Sequence, residues 1–409
     1  MAEQSEPDAS GRWVMLGWIC LALVGSMATW FSATAVVPEL TRIWSMSPGA
    51  AAWLTNGVQI GFVVGAIGSS FINLPDIVPM PRLIAVSALV AAGANAFLLV
   101  APSSETAIAA RFVTGLALAG VYPPAVKLIA TWFRTGRGLA LGAAIGALTL
   151  GSSMPHLVRA LTAGFDWHQV VLAASLASLA AAGLVAVVGR EGPYPFSRAV
   201  FSPRQIGEVA RNRPLMLANL GYFGHMWELY ALWGWYLAFA TAAMQAQGVG
   251  GPGLASLLTF VLVGAGTLGC VLGGVLSDRI GRTATCALML GGSGLCALVI
   301  GFTFGGPLWL MVVVSVIWGV TVVGDSAQFS TMITELSDGR YVGTALTFQM
   351  GVGFALTVLT IWLTPIVAEW LGGWQWSFVF LVPGPIVGIW AMWALRRSPE
   401  ATRLAHGRR

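Results

Sequence analysis

Arg190-Glu-Gly-Pro-Tyr-Pro-Phe-Ser-Arg198-Ala-Val-Phe-Ser-Pro-Arg204-Gln-Ile-Gly-Glu-Val-Ala-Arg211-Asn-Arg213-Pro214 is the longest polar run in an otherwise mostly apolar chain. It carries five arginines and is broken by prolines, and about half of the 409 residues lie on each side of it. It reads as a solvated linker, 190–213, joining two membrane-embedded halves, 1–189 and 214–409, and has no chemistry of its own.

Composition supports that reading. The chain is 57% hydrophobic and only 9% charged, where a soluble domain carries about 25% charged residues. Such a chain cannot cover a water-facing surface, so its solvent is lipid. Backbone groups in hydrocarbon must bond internally, which leaves helices or closed barrels. The apolar runs are about 20 residues or longer, not alternating ten-residue strands, so they are helices. The net charge of +5 does not point to nucleic acid, because the arginines sit in short loops between apolar runs. Cys20, Cys270, Cys286 and Cys296 all fall inside apolar runs without a CxxC pair, so no disulfide framework and no metal site are expected. The first dozen residues hold Glu3, Glu6 and Asp8 against Arg12 alone, unlike a secretory leader.

The expected fold is all-α and integral to the membrane, with twelve transmembrane helices. The first half holds 13–37, 50–72, 83–101, 106–130, 138–160 and 168–189. The second holds 214–242, 253–276, 284–304, 308–332, 343–367 and 374–395. An even count puts both termini on one side. That side collects seventeen cations, the other only Arg42 and Arg159, while Arg111 and Lys127 lie within a helix. Lys and Arg accumulate on the cytoplasmic side, so the termini and linker are expected in the cytoplasm, with the chain in a bacterial-type inner membrane.

The halves repeat. Asp76 and Asp278 each follow a second helix, 202 positions apart. Gly138-Leu-Ala-Leu opens helix five and Gly343-Thr-Ala-Leu helix eleven, 205 apart, and Gly146 and Gly351 keep that offset. Parallel six-helix repeats of this kind are an architecture of secondary transporters.

The most specific local signal is Gly274-Val-Leu-Ser-Asp278-Arg279-Ile-Gly281-Arg282 between helices eight and nine. It is similar to the G-x-L-x-D-R-x-G-R loop of the major facilitator superfamily, and the chain resembles that family over essentially its whole length. The tight turn suits Gly281, and an acid beside cations can form charge-assisted bonds. The resemblance implies two pseudo-symmetric six-helix bundles, alternating access, and a central cavity lined by helices one, four, seven and ten. It also implies that Asp278 faces a helix N-terminus of the opposite half, where negative charge is favoured, as a gate contact. The first-half copy, Ile72-Asn-Leu-Pro-Asp76-Ile-Val-Pro-Met-Pro-Arg82, keeps only the acid. Arg111-Phe-Val-Thr-Gly115 in helix four is similar to the family's R-x-x-x-G, which the family links to coupling. Gly138, Gly142, Gly146 and Gly151 precede Pro155 in helix five without the Gly-Pro pair of the family's antiporters. They read as helix packing through small residues. Helix seven and the first two helices loosely resemble permeases near the cyanate and nitrate porters, but that branch's arginines in helices two and eight are absent here.

Charges at mid-bilayer cost about 2.5–3.5 kcal/mol on insertion scales, so they face a cavity or a partner. They fall on helices four, seven and ten: Arg111 and Lys127; His225 and Glu228; Asp325, with Gln328 nearby. At ~1.5 Å per residue, Arg111 and Glu228 match in depth near the outer side, and Lys127 and Asp325 match near the inner side. An outer pair, Arg111 with Glu228, and an inner pair, Lys127 with Asp325, are therefore expected, each forming when its side of the cavity closes, with His225 between them. His225 titrates near neutrality when unperturbed and, with Glu228, is the candidate proton carrier. Trp30, Tyr122, Asn219 and Gln349 complete the candidate cavity lining, alongside other aromatics and amides such as Asn56 and Gln59.

The resulting expectation is a secondary active transporter of a small solute, an organic anion or small polar compound, by proton-coupled symport and as a monomer. Proton-driven efflux of hydrophobic compounds is the first alternative, a transporter-like sensor without flux the second. Four histidines and no clustered cysteines supply no convergent catalytic or metal site, and no phosphate-binding GxxxxGK[ST] loop is present. The chain is thus not read as an enzyme and needs no cofactor; its partners are solute, protons and lipid.

Overall fold

The computed structural model describes residues 10–162, 166–194, 202–338 and 341–409. Part of the linker and Arg340 lie outside them, as does the Asp76 side chain. Among the described residues the chain is helical, with no strand. The main helices are α1 (Arg12–Met27), α2 (Trp53–Ile72), α3 (Met80–Ala96), α4a (Ser104–Leu118), α4b (Tyr122–Ala130), α5 (Arg137–Leu161) and α6 (Trp167–Val188) in the first half. In the second half they are α7 (Arg213–Gln247), α8 (Pro252–Ile280), α9 (Arg282–Val299), α10a (Leu308–Gly324), α10b (Ser326–Leu336), α11 (Val342–Trp370) and α12 (Pro383–Arg396). Ten stretches among the described residues are long and apolar enough to cross a membrane. The other two expected spans are α1, which stops after 16 residues, and α7, which has 35 residues but is diluted by Asn219, His225 and Glu228.

Three expected continuous helices are broken. Helix one ends at Met27 rather than at 37, and Thr29 Oγ1 and Ser32 Oγ donate to the carbonyls of Ser26 and Thr29. Such hydroxyls offer the backbone an alternative to the helical ladder. Helix four breaks before Pro123 and Pro124, which open α4b; proline lacks the N–H that would continue the ladder and suits a first turn. Helix ten breaks at Asp325 and resumes to Leu336, four residues beyond its expected end.

Packing is bipartite. Within the first half α1 packs on α5 and α6, α2 on α4a, and α3 on α6; within the second, α7 packs on α11 and α12, and α8 on α10a. Two main crossings join the halves, α5 with α8 and α2 with α11. The repeat is visible at both. A Cβ on Gly146 would meet Thr267 of α8 at 3.1 Å, and one on Gly351 would meet Ile67 of α2 at 3.8 Å. Around the girdle, large apolar side chains such as Leu268, Leu295 and Trp390 are exposed, as lipid solvent permits.

The face carrying the termini is tied together by polar contacts. Glu191 accepts from the Met80 N–H at 2.9 Å and Thr131 Oγ1 from the Gly192 N–H at 2.8 Å. After α12 the chain folds back as a 3₁₀ segment, Pro399–Gly407. Its Ala405 N–H donates to Glu335 Oε2 at 3.1 Å, and Arg408 donates to the Asp278 carbonyl.

Candidate functional site

An aromatic layer spans both halves at mid-height. Trp30 and Phe31 come from the irregular segment after α1, Phe62 from α2, Tyr230 and Trp233 from α7, and Phe354 from α11. Ring centroids are 4.8 Å apart for Trp30–Phe62, 5.0 Å for Phe62–Phe354, 5.4 Å for Tyr230–Phe354 and 5.7 Å for Phe31–Trp233. All six side chains are buried. Each such pair contributes ~0.5–1.5 kcal/mol beyond its buried area, so the layer is a cohesive plug.

Beneath it, toward the face with the termini, lies a cavity of about 320 Å³ between α2, α4b, α5 and α11. Phe62 and Phe354 form its ceiling, so the plug and the cavity share two residues. Its walls are mostly apolar, with Ser69, Ser70, Asn73 and Thr347 as polar exceptions and Lys127, the sole lysine of the chain, as its cation.

The other buried charges do not open into this space. The outer pair does not form although its side is closed, and the inner pair is not made in this state, whose inner side is open. Arg111 is fully buried inside the first half. Its Nε donates to the Leu54 carbonyl at 3.1 Å, and Nη1 donates to the Thr29 carbonyl at 2.7 Å, Asn95 Oδ1 at 2.9 Å and Ser32 Oγ at 3.2 Å. Its Nη2 donates to the Trp30 carbonyl. Arg111 thus holds carbonyls freed just beyond the break in helix one, a placement a helix C-terminus favours for a cation. Each of its three nitrogens has an acceptor in its own half, and none contacts Glu228. Asn95, which also donates to Ser175 Oγ at 2.9 Å, completes this network; its only sequence signal is a lone amide in the apolar run of helix three.

Glu228 is fully buried inside the second half. Trp318 Nε1 donates to Oε1 at 2.6 Å and Ser293 Oγ to Oε2 at 2.9 Å, so the carboxylate cross-links α7, α9 and α10a. Asp325 pairs with His225, Oδ1 to Nδ1 at 2.9 Å, and not with Lys127. Helix ten's extra inner turn moves Asp325 deeper than expected, to the level of His225. The four buried candidates from helices four, seven and ten are therefore divided between the two bundles, Arg111 in one and His225, Glu228 and Asp325 in the other, and share no chamber.

The remaining candidates are scattered. Gln328 is not a cavity residue: its Oε1 accepts from Ser277 Oγ at 2.7 Å and from Arg282 Nη1 at 2.8 Å. Arg282 also grips Glu335 in a fork, Nε to Oε2 at 2.9 Å and Nη2 to Oε1 at 2.7 Å. The loop after α8 is thereby fastened to α10b. Gly281 turns there at φ +90°, a conformation that favours glycine. Asp278 and Arg279 are exposed, and the Asp278 carboxylate contacts no helix N-terminus of the opposite half among the described residues. Gly274 has open space around it. Tyr122 opens α4b, within electrostatic reach of Tyr222 and Tyr230. Asn219 and Gln349 are buried, with Asn219 Oδ1 and Gln349 Nε2 lacking partners among the described residues.

The sequence profile described as the Major Facilitator Superfamily matches residues 19–324 and 229–409. Among characterised sequences, the chain is 25% identical to a probable sulfoacetate transporter of Cupriavidus necator, over 71% of this chain and 72% of that one. It is 28% identical to the niacin transporter of Acinetobacter baylyi, over 46% of this chain and 42% of the other. Among solved structures, a bacterial homologue of the human lysosomal transporter Spinster, inward-facing, superposes with a TM-score of 0.74 at 16% identity, covering 96% of this chain and all of the other. A D-xylose–proton symporter superposes at 0.70 and 14% identity, covering 96% and 99%.

Proposed function

Because the chain belongs to the major facilitator superfamily and is a membrane transporter, we propose that it carries a small organic anion across a bacterial inner membrane by proton-coupled alternating access. Residues 1–189 and 214–409 are the two rocking bundles of six spans, linked by 190–213 on the cytoplasmic side, and the protein works as a monomer. The observation that carries the reading is the cavity of about 320 Å³ whose cation is Lys127 and whose ceiling is built by both halves. A plug toward one face and a cavity toward the other is the asymmetry alternating access requires. Lys127 draws an anion in, and the apolar walls accept a compact carbon skeleton. The sulfoacetate and niacin handled by the two relatives both carry a carboxylate, which supports the same chemical class here. The His225–Asp325 pair at the break in helix ten supplies the exchangeable proton.

Proteoliposome uptake of radiolabelled nicotinate and sulfoacetate, with and without an imposed proton gradient, tests this. Gradient-driven accumulation that Lys127→Gln reduces is the expected result; flux of neither anion would sink it. The mostly apolar cavity wall favours one rival, proton-driven efflux of hydrophobic compounds. Gradient-dependent expulsion of a lipophilic dye without anion flux would establish that rival.

A further inference from the structure

We propose that the carboxamide of Gln59, together with the indole N–H of Trp30, is the polar recognition point that holds the substrate when the carrier is occluded. The proposal rests on the transport reading above and adds to it a specificity residue and a geometry.

Gln59 is fully buried on α2, and neither Nε2 nor Oε1 has a hydrogen-bond partner among the described residues. Contacts on either side fix its position. One turn toward the plugged face, Asn56 Nδ2 donates to the Val358 carbonyl of α11 at 3.0 Å. One turn toward the cavity, Phe62 meets Phe354 of α11 with centroids 5.0 Å apart. Positions 56, 59 and 62 follow at three-residue spacing and share a helix face. Gln59 therefore lies in the seam between α2 and α11, one turn above the cavity ceiling. The Trp30 ring lies 4.8 Å from that of Phe62, and its Nε1 is likewise buried without a partner.

Of the nearby polar groups, Asn56 Oδ1 and Trp233 Nε1 also lack partners among the described residues, but Gln59 alone has both ends of its side chain unpaired in the seam. Others are paired. Thr34 and Thr55 hydroxyls bond at 2.8 Å, and Trp235 Nε1 donates to the Ile361 carbonyl at 2.8 Å. Interiors pair nearly all buried polar groups, and an orphan costs its full desolvation. An amide kept unpaired in this seam, where leucine would fit an apolar interface, is paired at another stage of the cycle. The seam is one of the two main crossings between the halves, so rocking parts Phe62 from Phe354 and opens Gln59 and Trp30 to the cavity. Gln59 Nε2 and Trp30 Nε1 then donate to the acceptor end of the solute, a carboxylate oxygen. Phe62, Tyr230 and Phe354 wall a flat apolar body, while Lys127 stays below as the attracting charge. Neutral donors at the occluded point hold the anion without trapping it, as a fixed guanidinium would. The class of solute this selects is a small monocarboxylate with a flat apolar body.

The test uses the full chain in nanodiscs, titrated by tryptophan fluorescence with benzoate, acetate and benzamide, and unfolded thermally without ligand. Benzoate is expected to bind the wild type more tightly than acetate. Gln59→Leu is expected to weaken benzoate at least tenfold while leaving the ligand-free unfolding temperature equal or higher. A Gln59→Leu variant that binds benzoate as the wild type does, or whose ligand-free unfolding temperature falls by several degrees, overturns the proposal. If the wild type binds none of the three probes, the solute class is wrong. Binding of benzamide alone, lost in Gln59→Leu, keeps the recognition point but ends the anion reading. Anion accumulation in liposomes unchanged by Gln59→Leu does the reverse.

Discussion

His225 Nδ1 lies 2.9 Å from Asp325 Oδ1, joining the middle of α7 to the break in helix ten. The contact has the distance of an ion pair without the alignment of a hydrogen bond, so both Asp325 oxygens lack a hydrogen-bond partner among the described residues. Ser326 Oγ lies 3.0 Å from His225 Nε2 on the other edge of the ring. A buried carboxylate with no hydrogen-bond donor is costly unless a partner lies beside it, and His225 is the side chain in that position. Glu228, Cys270 and Cys286 are the other titratable groups within electrostatic reach of Asp325. The helix that starts at the break is fastened through Gln328 and Glu335 to the Arg282 loop. The pair thus sits at one end of a connected element whose other end is at the face with the termini.

His225→Gln and Asp325→Asn each remove one member of that pair. Either variant is expected to lose gradient-driven accumulation by tenfold or more, ~1.4 kcal/mol of coupling, while retaining counterflow exchange of labelled for unlabelled solute. Measuring both fluxes in the same liposomes separates coupling from binding. Full gradient-driven accumulation in both variants would remove the pair from the mechanism.

Glu228 has a different role. Its two donors come from Trp318 and Ser293, and leaving a buried donor without an acceptor costs roughly 1–3 kcal/mol. Glu228→Ala is expected to lower the unfolding temperature sharply and to reduce yield. Glu228→Gln keeps one acceptor, folds, and leaves the pH dependence of transport unchanged. A shifted pH profile in Glu228→Gln would return this carboxylate to the proton path.

Arg111 belongs to the scaffold. Arg111→Lys keeps the charge but cannot span acceptors on Thr29, Trp30, Leu54 and Asn95 with one ammonium. Stranding buried carbonyls costs about 1–3 kcal/mol each, so this exchange is expected to destabilise the first half as severely as Arg111→Ala. Thermal unfolding in detergent reads it. A folded, active Arg111→Lys protein would show that the network is dispensable.

That helices four, seven and ten carry buried charges was legible in the sequence, because a charge in an apolar run stands out at once. Arg159, read as an outer-side cation, is instead buried at the end of α5 against Glu39. Who meets whom was not. Depth along a helix can be counted from its ends, and on that count Arg111 and Glu228 match, but the direction in which each side chain leaves the helix decides the partner. The breaks supply what counting lacks. The one after Met27 frees carbonyls that claim Arg111, and the one at Asp325 carries no proline to announce it. The offset between Gly146 and Gly351 was legible, and each faces the other half at a crossing, Gly146 more closely than Gly351. The Gly281 loop was legible as a turn, yet its tie to Glu335 runs 53 residues along the chain, beyond any local pattern.

Asp166 caps α6 on the plugged face. Its carboxyl is held below the usual range, first by the His168 side chain 2.6 Å away and then by the His168 N–H at 2.9 Å. A depressed carboxyl stabilises the fold above its ordinary pKa and loses that contribution as pH falls through the lowered value. Asp166→Ala is expected to cost ~1 kcal/mol at neutral pH, with the gap to wild type closing as the buffer is taken below the carboxylate range. A gap independent of pH would show that the ionised cap contributes nothing.

Gly281 joins the loop after α8 to the segment that folds back beneath it. Its φ is +90°, and a Cβ there would overlap the carbonyls of Arg408 and Arg409. Gly281→Ala therefore meets two penalties, ~1–3 kcal/mol for an extended positive-φ backbone open essentially to glycine alone and the expulsion of the segment from its seat. With that segment displaced, Glu335 loses the Ala405 N–H and Asp278 loses Arg408, but Arg282 keeps its fork on Glu335. The expected outcome is faster tryptic cleavage at Arg403 and Arg408, with α8 and α9 still protected and solute binding retained. Tryptic rates at those arginines equal to wild type would mean that the segment is not seated on the loop in the membrane.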